Sequence, residues 1–524
     1  MRDEIAGKIE YFELLKTKRE KWDSAWDELK KYVCPQTANN KEIFDSSSIW
    51  ARKQWASGMQ SLLVNRAIKW FGISLLEQNN IKNNNDREEN LNENAEVRLW
   101  REIVEDSILN IFNNPASNFY NQIHEFFLTL GAYGTAIFYI EEDLELNTGV
   151  FFRNVNLREC YFEEDKYGFI NSMYRLFKLN VKTAVSKWSD FAPFKEKLLK
   201  SPDEEIEILH IVTPNLDNAK GKASRKTSSN HEYSSTYIYL ADRQIISDSG
   251  YSYFPFFVTR WIKEEGEAFG YAPASHVLPD IKLLNSFRNT TAQVSQLQAR
   301  PSWLIPKSGY QLPLRNTPDA ANYYHNGTQD QIKNLSNIDN PISTEVQQDK
   351  CKDAIFKAFD IDIFRMQKEN KEMTATEVQA RVEEQMRMMS PMIGRIETEF
   401  LNPLIRSIYK VLIKYNRLPI LEGVGNIELD ITYVSPLTKA QKSLAINGIE
   451  QVIGFFQHSG ISSVYPEIYD NIDFDKCFKL LSELKGVPET ILRSDKDVAQ
   501  IRQKRMATQL QQQLQAQQLQ LPPQ

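Results

Sequence analysis

Cysteine and histidine are scarce in this chain, and neither is clustered. The 524 residues include four cysteines and six histidines. Cys34, Cys160, Cys351 and Cys477 lie more than one hundred residues apart, and none belongs to a C-x-x-C pair. The sequence therefore indicates neither a zinc site nor a disulfide framework. We expect a protein that is made and used in a reducing cytoplasm, without a metal or another cofactor.

Long apolar runs and a surplus of positive charge are also missing. No segment approaches the roughly 20 apolar residues that a membrane-spanning helix needs, and the charged, amphipathic N-terminus is unlike a secretory signal. We therefore expect no membrane partner. The chain has 63 Lys and Arg against 69 Asp and Glu, a formal net charge of −6. This balance argues against a protein that grips nucleic acid over most of its surface, although DNA can still be a passing cargo.

The motifs of common enzyme sites are absent or incomplete. Gly131–Gly134 lacks the lysine and the spacing of a phosphate-binding loop, and Gly423-Val-Gly425 lacks the third glycine of a dinucleotide fingerprint. His124-Glu125 begins an H-E-x-x-H pattern, but position 128 is a leucine. No local pattern supports a catalytic residue or a metal ligand, and we expect that the protein is not an enzyme.

Two acidic pairs are the remaining candidates for chemistry. A metal-dependent hydrolase acting on DNA would need carboxylates such as those of Asp360-x-Asp362 and Asp473-x-Asp475 around its metal ions. Short motifs of this kind often have an ordinary explanation. Helix-surface charge explains the first pair, and a turn or a helix cap explains the second.

Apolar spacing predicts an α+β first half. Helices are predicted over 4–33, after the possible caps Asp45 and Ser46, over about 95–112 and over about 118–131. Strands are predicted over 135–141, 149–154, 171–179, 206–213, 236–240 and 254–261.

Two predicted helices then bracket a proline-rich insert. The first follows Pro273 with a narrow apolar stripe and ends at Pro301, and the second covers about 343–366. The insert 301–342 contains five prolines and little periodicity, which predicts a compact non-helical segment. A hairpin with such narrow stripes buries too little surface to be stable alone. Either it packs on its own chain, or sister copies complete its burial in a closed ring.

The longest helical pattern of the chain follows a polar break at 366–376. Pro391 and Pro403 lie inside this pattern, and each predicts a kink because proline lacks a backbone donor and clashes with the preceding turn. Residues 427–434 alternate as a strand. After a final helical region, the chain ends with nine glutamines among the seventeen residues 508–524.

Five segments, in order along the chain, carry a family resemblance. They are SSIWARKQWASGMQSLLVNRAIKWFGISL (47–75, with the pair Trp70-Phe71), the segment 126–142 containing LGAYGTAIFYIEE, MTATEV (373–378), YVSPLTKAQ (433–441) and GVPETILRSDKDV (486–498). They resemble the head-to-tail connecting (portal) proteins of short-tailed, podovirus-type phages. The first three are similar to that family's early helix, to the helix-to-strand transition of its wing and to the start of its long kinked helix, and the last two are similar to its C-terminal region. The matches cover nearly the whole chain.

The resemblance implies a predominantly helical α+β fold with wing, stem, clip and crown regions around a central channel. The copies would form a dodecameric ring. The implied regions are a wing over 1–268, a stem helix within 269–299, a clip over 300–342, a second stem helix over 343–366, a channel loop, long kinked wing helix and strand over 367–434, a crown over 435–505 and a Gln-rich tail over 506–524.

The resemblance also implies partners. Such rings occupy one vertex of the capsid and serve as the conduit for DNA packaging and genome ejection. Double-stranded DNA would pass through the channel, and the protein partners would be the terminase large subunit, the major capsid and scaffolding proteins, and tail adaptor proteins. The chain would be a virion component that is assembled in the host cytoplasm.

Five basic residues are the candidate contacts. Lys368 and Lys371 lie in the polar break, which corresponds to the family's channel loop, and would face the passing duplex; the alternative is a solvated linker. Arg300, Lys307 and Arg315 would make the clip and stem locally basic and dock acidic partner surfaces or DNA phosphates. Alternatively, these three residues pair with acids of a neighbouring subunit.

Two other functions compete with this interpretation. One is another structural virion component, such as an adaptor or internal protein, and the other is the metal-dependent hydrolase. The mass in solution separates a large ring from a monomer, and a metal-dependent nuclease assay tests the chemistry.

Overall fold

A computed structural model gives the fold of most of the chain. It describes residues 2–35, 42–75, 95–143, 149–215, 231–299, 342–365, 387–419, 429–433, 473–485 and 495–518, together with 303–304, 313, 323, 333–334, 448, 451, 454, 491 and 493. Most of the predicted clip and crown lies outside these residues, as does the polar break. The region boundaries implied by the resemblance therefore stay predictions.

Helices and antiparallel strands are interleaved along the chain. The helices are α1 (Arg2–Val33), α2 (Ser47–Leu63), α3 (Ala95–Asn113), α4 (Phe119–Tyr133), α5 (Val181–Lys187), α6 (Ala192–Lys200), α7 (Pro273–His276), α8 (Leu278–Ala299), α9 (Ile342–Ala358), α10 (Ile361–Arg365), α11 (Asn402–Lys414), α12 (Phe474–Lys485) and α13 (Asp495–Gln518). The strands are β1 (Phe71–Leu75), β2 (Thr135–Glu142), β3 (Val150–Val155), β4 (Cys160–Tyr161), β5 (Met173–Asn180), β6 (Glu205–Pro214), β7 (Tyr233–Tyr239), β8 (Gln244–Tyr251), β9 (Phe256–Arg260), β10 (Trp303–Leu304), β11 (Lys333–Asn334) and β12 (Leu429–Tyr433). The fold class is therefore α+β.

The strands form antiparallel sheets of different sizes. The larger ones have the orders β3–β2–β9 and β4–β5–β6–β7–β8. A two-stranded sheet joins β1 to β12, with Phe71 opposite Tyr433, so it brings together parts of the chain that are far apart in sequence. In the predicted clip, β10 and β11 pair through Trp303 and Asn334.

The main core lies between α2, α3, α4 and the three-stranded sheet. Apolar side chains on α4 recur at three- and four-residue steps, and Phe126 and Leu130 are among those that are fully buried. Phe126 stacks on Phe400 with ring centroids 4.5 Å apart. This contact places the long helix of the second half on the same core as the first half.

Two glycines on α4 allow close approach of other elements. A Cβ on Gly131 would lie 2.8 Å from the ring of Trp55 on α2. Gly134 ends α4 in the left-handed region at φ 74, and a Cβ there would lie 2.2 Å from the backbone of Tyr271. The turn from α4 to β2 therefore requires glycine for both its conformation and its space.

Helix α1 connects two hydrophobic cores. Its N-terminal half packs Phe12 and Leu15 against the five-stranded sheet, whereas Trp26 and Leu29 near its other end belong to the main core. A third cluster, around Phe194, lies between the same sheet and the short helices α5 and α6.

The structure confirms most of the predicted elements of the first half and adds others. The four predicted helices correspond to α1 to α4, and the six predicted strands correspond to β2, β3, β5, β6, β7 and β9. The strand predicted at 427–434 contains β12. Apolar spacing did not predict β1, β8, α5 or α6. In the C-terminal part, α13 continues through part of the predicted Gln-rich tail as far as Gln518.

The prediction of one continuous helix over 343–366 is wrong. Helix α9 ends at Ala358, and Asp360 adopts the left-handed backbone conformation at φ 49. Its backbone N–H donates to the carbonyl of Lys357 at 3.0 Å, three residues earlier, before α10 begins. Aspartate tolerates this conformation better than most residues, because its short polar side chain can bond locally. Asp360 is thus part of a helix break and not of a regular helix surface.

The long helix of the second half contains a π-helical turn. Residues 387–396 are α-helical, Glu397–Leu401 form a π-helix, and α11 follows. Pro403 has no N–H to donate to the carbonyl of Glu399, so the wider turn accommodates the missing hydrogen bond. A π-helical turn thus lies directly before Pro403, one of the two prolines at which the sequence predicts a kink. Around Pro391, the described residues keep α-helical geometry.

Candidate functional site: a helical hairpin

Helices α8 and α9 form a hairpin around the proline-rich insert. The short helix α7 precedes α8, and Pro279 takes the second position of α8, where its missing N–H costs no helical hydrogen bond. The two long helices pack against each other. Gln348 on α9 is buried and donates from Nε2 to Oγ1 of Thr291 on α8 at 2.9 Å.

The base of the hairpin is anchored in the main core. Ile281 and Leu284 on α8 are buried, as are Ile355 and Phe359 on α9. The neighbouring Phe356 packs its ring 5.3 Å from that of Trp50 on α2. This end of the hairpin therefore packs on its own chain, which is one of the two alternatives that the sequence left open for the hairpin.

Polar contacts tie the same base to the segment before α2. The side chain of Asn285 accepts hydrogen bonds from the backbone N–H groups of Phe44 and Asp45, at 2.7 and 3.2 Å, and donates to the carbonyl of Glu42 at 2.9 Å. Arg288 lies 3.5 Å from the Asp45 carboxylate. These contacts fix the direction in which α8 continues beyond Leu284.

In the outer half of the hairpin, the apolar side chains are not buried by the rest of the chain as they are at the base. Within 285–299, all of which is described, no residue is buried. Leu297 is 41% exposed and Val346, on the facing helix, is 52% exposed, although both belong to the predicted apolar stripes. The apolar stripe is thus buried at its base and uncovered further out. Two adjoining helices with this pattern present an apolar strip to a partner.

The positive charge of the hairpin is partly neutralised within the chain. Lys282 lies 2.7 Å from the carboxylate of Glu28, and Arg288 pairs with Asp45. The candidate docking residues Arg300, Lys307 and Arg315 lie outside the described residues, so their contacts stay predictions.

A buried ion network holds the π-helical turn against the three-stranded sheet. The guanidinium group of Arg260 on β9 donates from Nη2 to Glu399 at 2.6 Å, and the backbone N–H of Arg260 donates to the other oxygen of the same carboxylate at 2.9 Å. Arg260 also donates to Glu164 and to the carbonyl of Gly168. Burial lowers the pKa of Arg260, but the bonds to Glu399 and Glu164 outweigh it, so the net pKa is raised and the group stays charged.

Sequence reasoning did not find this network. Its partners are 96 and 139 residues from Arg260 along the chain, so no local motif marks them. The sequence analysis selected Lys368 and Lys371 as channel contacts. Both lie in the polar break, which is outside the described residues.

The competing hydrolase reading finds little support in the described part of the chain. No group of three or more His, Cys, Asp or Glu side chains that could hold a metal ion occurs there. Asp473 accepts hydrogen bonds from the backbone N–H groups of Asp475 and Lys476, which is the predicted cap of a helix, here α12. Asp475 pairs with both terminal nitrogens of Arg502 on α13 at 2.6 Å.

None of the described helices has the length and apolar character needed to span a bilayer.

Comparisons with known proteins cover almost the whole chain. A family model described as bacteriophage head to tail connecting protein matches residues 7–492. The probable portal protein of Bordetella phage BPP-1 is 24% identical over 522 residues, which covers 94% of this chain and 89% of that protein. The portal protein of Salmonella phage epsilon15 is 24% identical over 520 residues, with the same coverage of 94% and 89%.

Proposed function

Because the chain belongs to the bacteriophage head to tail connecting proteins, with a portal or connector function, we propose that it forms a dodecameric ring at one vertex of a phage capsid. The ring would enclose a channel through which double-stranded DNA enters during packaging and leaves during ejection. This role requires no catalytic step by the chain itself. The protein would be assembled in the host cytoplasm and remain in the virion.

The main support for the proposed ring is that the apolar side chains in the outer half of the α8–α9 hairpin are exposed. A helix pair of this length needs tertiary packing along most of its apolar strip. Here the strip is covered only at its base, and Leu297 and Val346 remain exposed. In a closed ring, each hairpin packs against the hairpins of its two neighbours, and no apolar strip is left to start a fibre.

The regions that the family resemblance implies would map onto the same arrangement. The α8–α9 hairpin, extended by α10 to residue 365, would be the stem, and the insert 300–342 would be the clip. The body that contains the sheets and α11 would be the wing, and 435–505 the crown. The polar break after α10 would then reach into the channel.

The partners would divide between the two ends of the ring. The clip would dock the terminase large subunit during filling and tail adaptor proteins afterwards, with Arg300, Lys307 and Arg315 meeting acidic surfaces. The wing would contact the major capsid and scaffolding proteins. The net charge of −6 suits a wall along which DNA slides, since strong phosphate binding at many sites would hold the duplex in place.

The mass of the purified protein tests the ring. We expect a particle of twelve times the 60.9 kDa chain by light scattering, and rings with a central hole in negative-stain images. The double variant Leu297→Asp, Val346→Asp should shift the mass toward the single chain, because it buries charge in the contact between hairpins. Leu199→Asp, at a site 88% exposed on α6, is the matched control and should leave the mass unchanged. A wild-type protein that stays a single folded chain at high concentration would overturn the proposal.

The channel loop has its own test. The double variant Lys368→Gln, Lys371→Gln should leave the ring intact and change the amount of DNA packaged or its retention in filled heads. If both quantities match those of the wild type, the two lysines are part of a solvated linker.

The docking role of the clip is tested by binding. Arg300→Gln combined with Lys307→Gln should weaken binding of the terminase large subunit or of a tail adaptor to assembled rings. Unchanged binding of both, or a loss of the ring itself, would assign these side chains to contacts other than partner docking.

A further inference from the structure

A polar pocket of about 420 Å³ lies where the C-terminal end of α1 meets α2, α4 and the turn after β3. Three cationic side chains line it, one from each of three separate segments: Lys30 on α1, Arg52 on α2 and Arg158 after β3. No carboxylate of the described residues lines the pocket. The pocket is therefore positively charged, in a chain whose net charge is negative.

Several hydrogen-bond donors in this pocket are buried without a partner. They are Nε of Arg52 and both Nε and Nη2 of Arg158, for which the described residues provide no acceptor. Only Nη1 of Arg158 is paired, with the carboxylate of Asp27 at 2.6 Å. Buried donors without an acceptor are costly, and those on a charged group are the most costly. The pocket thus lacks an acceptor that carries negative charge.

The neutral groups of the pocket fit the same kind of ligand. Burial raises the pKa of Tyr133 far above its ordinary value, and Cys34 raises it further, whereas the charges of Arg158 and Arg52 act to lower it. Both guanidinium groups are therefore close to a tyrosine hydroxyl that keeps its proton and lies 3.1 Å from Sγ of Cys34. Asn154 donates from Nδ2 to Thr129 at 3.3 Å, but its Oδ1 is buried without a partner. That oxygen would accept a bond from a ligand that carries a hydroxyl group.

We propose that this pocket binds a phosphate-type oxyanion, supplied as a free phosphate ion. Three cations from separate segments match a group with a charge of about −1.5 to −2 and several acceptor oxygens. A carboxylate has two oxygens in one plane and a single charge, so it suits one arginine fork better than three cations. A singly protonated phosphate also offers the hydroxyl that Asn154 lacks.

Calorimetric titration of the wild-type protein with inorganic phosphate and with pyrophosphate tests the proposal. At constant ionic strength, we expect saturable binding and a rise in melting temperature. Arg52→Gln and Arg158→Gln should each weaken binding about tenfold or more, since a hydrogen bond to a charged group is lost. Asp27→Asn should strengthen binding, because it frees Nη1 of Arg158 and removes a nearby negative charge. Arg505→Gln, at an exposed site on α13, is the control and should bind as the wild type does.

Competition with DNA tests this choice of ligand. Phosphodiesters carry a single charge and no hydroxyl group, so a short DNA duplex should not displace pyrophosphate from the wild type. Equal displacement from the wild type and from Arg505→Gln would overturn the proposal and assign the site to the DNA backbone. The proposal fails if phosphate and pyrophosphate do not bind saturably, or if the Arg52, Arg158 and Asp27 variants bind them as the wild type does. It also fails if those variants change only the mass of the assembly, which would identify the ligand as a carboxylate of a neighbouring copy. The pocket lies within one chain, so the result does not depend on whether the ring forms.

Discussion

Arg260 joins three segments that no local pattern connects. Its side chain and backbone together bind Glu399 in the π-helical turn, and its guanidinium group also meets Glu164 before β5. The arginine is 3% exposed and the Glu399 side chain 10%, so solvent screens their interaction little. Breaking such a pair leaves a buried charge without compensation.

The variant Arg260→Met should lower the free energy of unfolding by about 3–5 kcal/mol, measured by chemical denaturation. Glu164 keeps Lys263 as a partner at 2.7 Å, so Glu399 is the carboxylate that loses its charged partner and keeps only the bond from the backbone N–H of residue 260. Adding Glu399→Gln should therefore recover part of the loss. The control Lys410→Met removes an exposed pair with Glu232 and should cost below about 1 kcal/mol. Equal losses for the buried and the exposed pair would contradict the role of the network.

Asp360 makes the stability depend on pH. Burial first, and the neighbouring Asp362 second, raise the pKa of Asp360 to about 6. The unfolded chain has a pKa of about 3.9 at this group, so between these values the folded chain binds the proton more tightly. The contribution to stability is therefore present at low pH and is lost as the pH rises to about 6.

The variant Asp360→Asn should remove this dependence. Asparagine also tolerates the left-handed backbone at position 360. We expect the variant to be about 1 kcal/mol more stable than the wild type at pH 7.5, because solvent screens part of the effect, and to gain less at pH 5. Melting temperatures at both pH values measure the difference. The same gain at both would show that the carboxyl group does not titrate in this range.

Single residues were predicted from sequence only where a local rule applies. Asp473 caps α12 because a cap and the helix it caps are adjacent in the chain. The sequence analysis did not select Arg260 or Arg158, because their partners lie far away along the chain. The channel lysines Lys368 and Lys371 came from the family resemblance and stay predictions.

At the scale of helices and strands, apolar periodicity predicted the elements that bury one regular apolar face in the core. Helix α4 and strand β2 bury regular apolar patterns, and both were predicted within two residues. Strand β1 is five residues long and pairs with β12 more than three hundred residues later, so its existence depends on a contact that periodicity does not contain. Strand β8 is mostly polar and lies at the edge of its sheet, where alternation is weak.

The junction between α4 and β2 depends on one glycine. Gly134→Ala should lower the free energy of unfolding by about 3 kcal/mol or more, since alanine is strained at φ 74 and its Cβ would meet the backbone of Tyr271. Gly7→Ala in α1 is the matched control, because no atom lies within 4 Å of its Cβ. That variant should be up to about 1 kcal/mol more stable, as alanine favours a helix. A small effect at position 134 would mean that the turn can rearrange.

The helix break at Asp360 and the turn at Glu397–Leu401 lie on either side of the polar break. Periodicity predicted helix on both sides but neither distortion in detail, because a left-handed residue and a π-turn leave the apolar spacing almost unchanged. The positions of both distortions are set by local backbone chemistry, by a left-handed aspartate in the first case and by the missing N–H of Pro403 in the second.

For the whole molecule, the hydrophobic cores around the three- and five-stranded sheets are complete within one chain, whereas the outer half of the hairpin is uncovered. The main core includes side chains from α1 to α11, whereas the hairpin contributes to it only through its base. A sequence alone leaves open whether one chain or several complete the burial. In the structure, this question concerns only the apolar strip around Leu297 and Val346, which its own chain leaves exposed.

The stability of the assembled protein should therefore depend on its concentration. If unfolding requires the ring to dissociate, each tenfold increase in concentration should stabilise the folded chain by about 1 kcal/mol, because association is linked to folding. The melting temperature of the wild type would rise steadily over a hundredfold range of concentration. The double variant Leu297→Asp, Val346→Asp, which retains the cores around the sheets, should melt at a temperature that does not depend on concentration. A wild type whose melting temperature does not change with concentration would mean that association between copies contributes nothing to the stability of the fold, which would count against the ring.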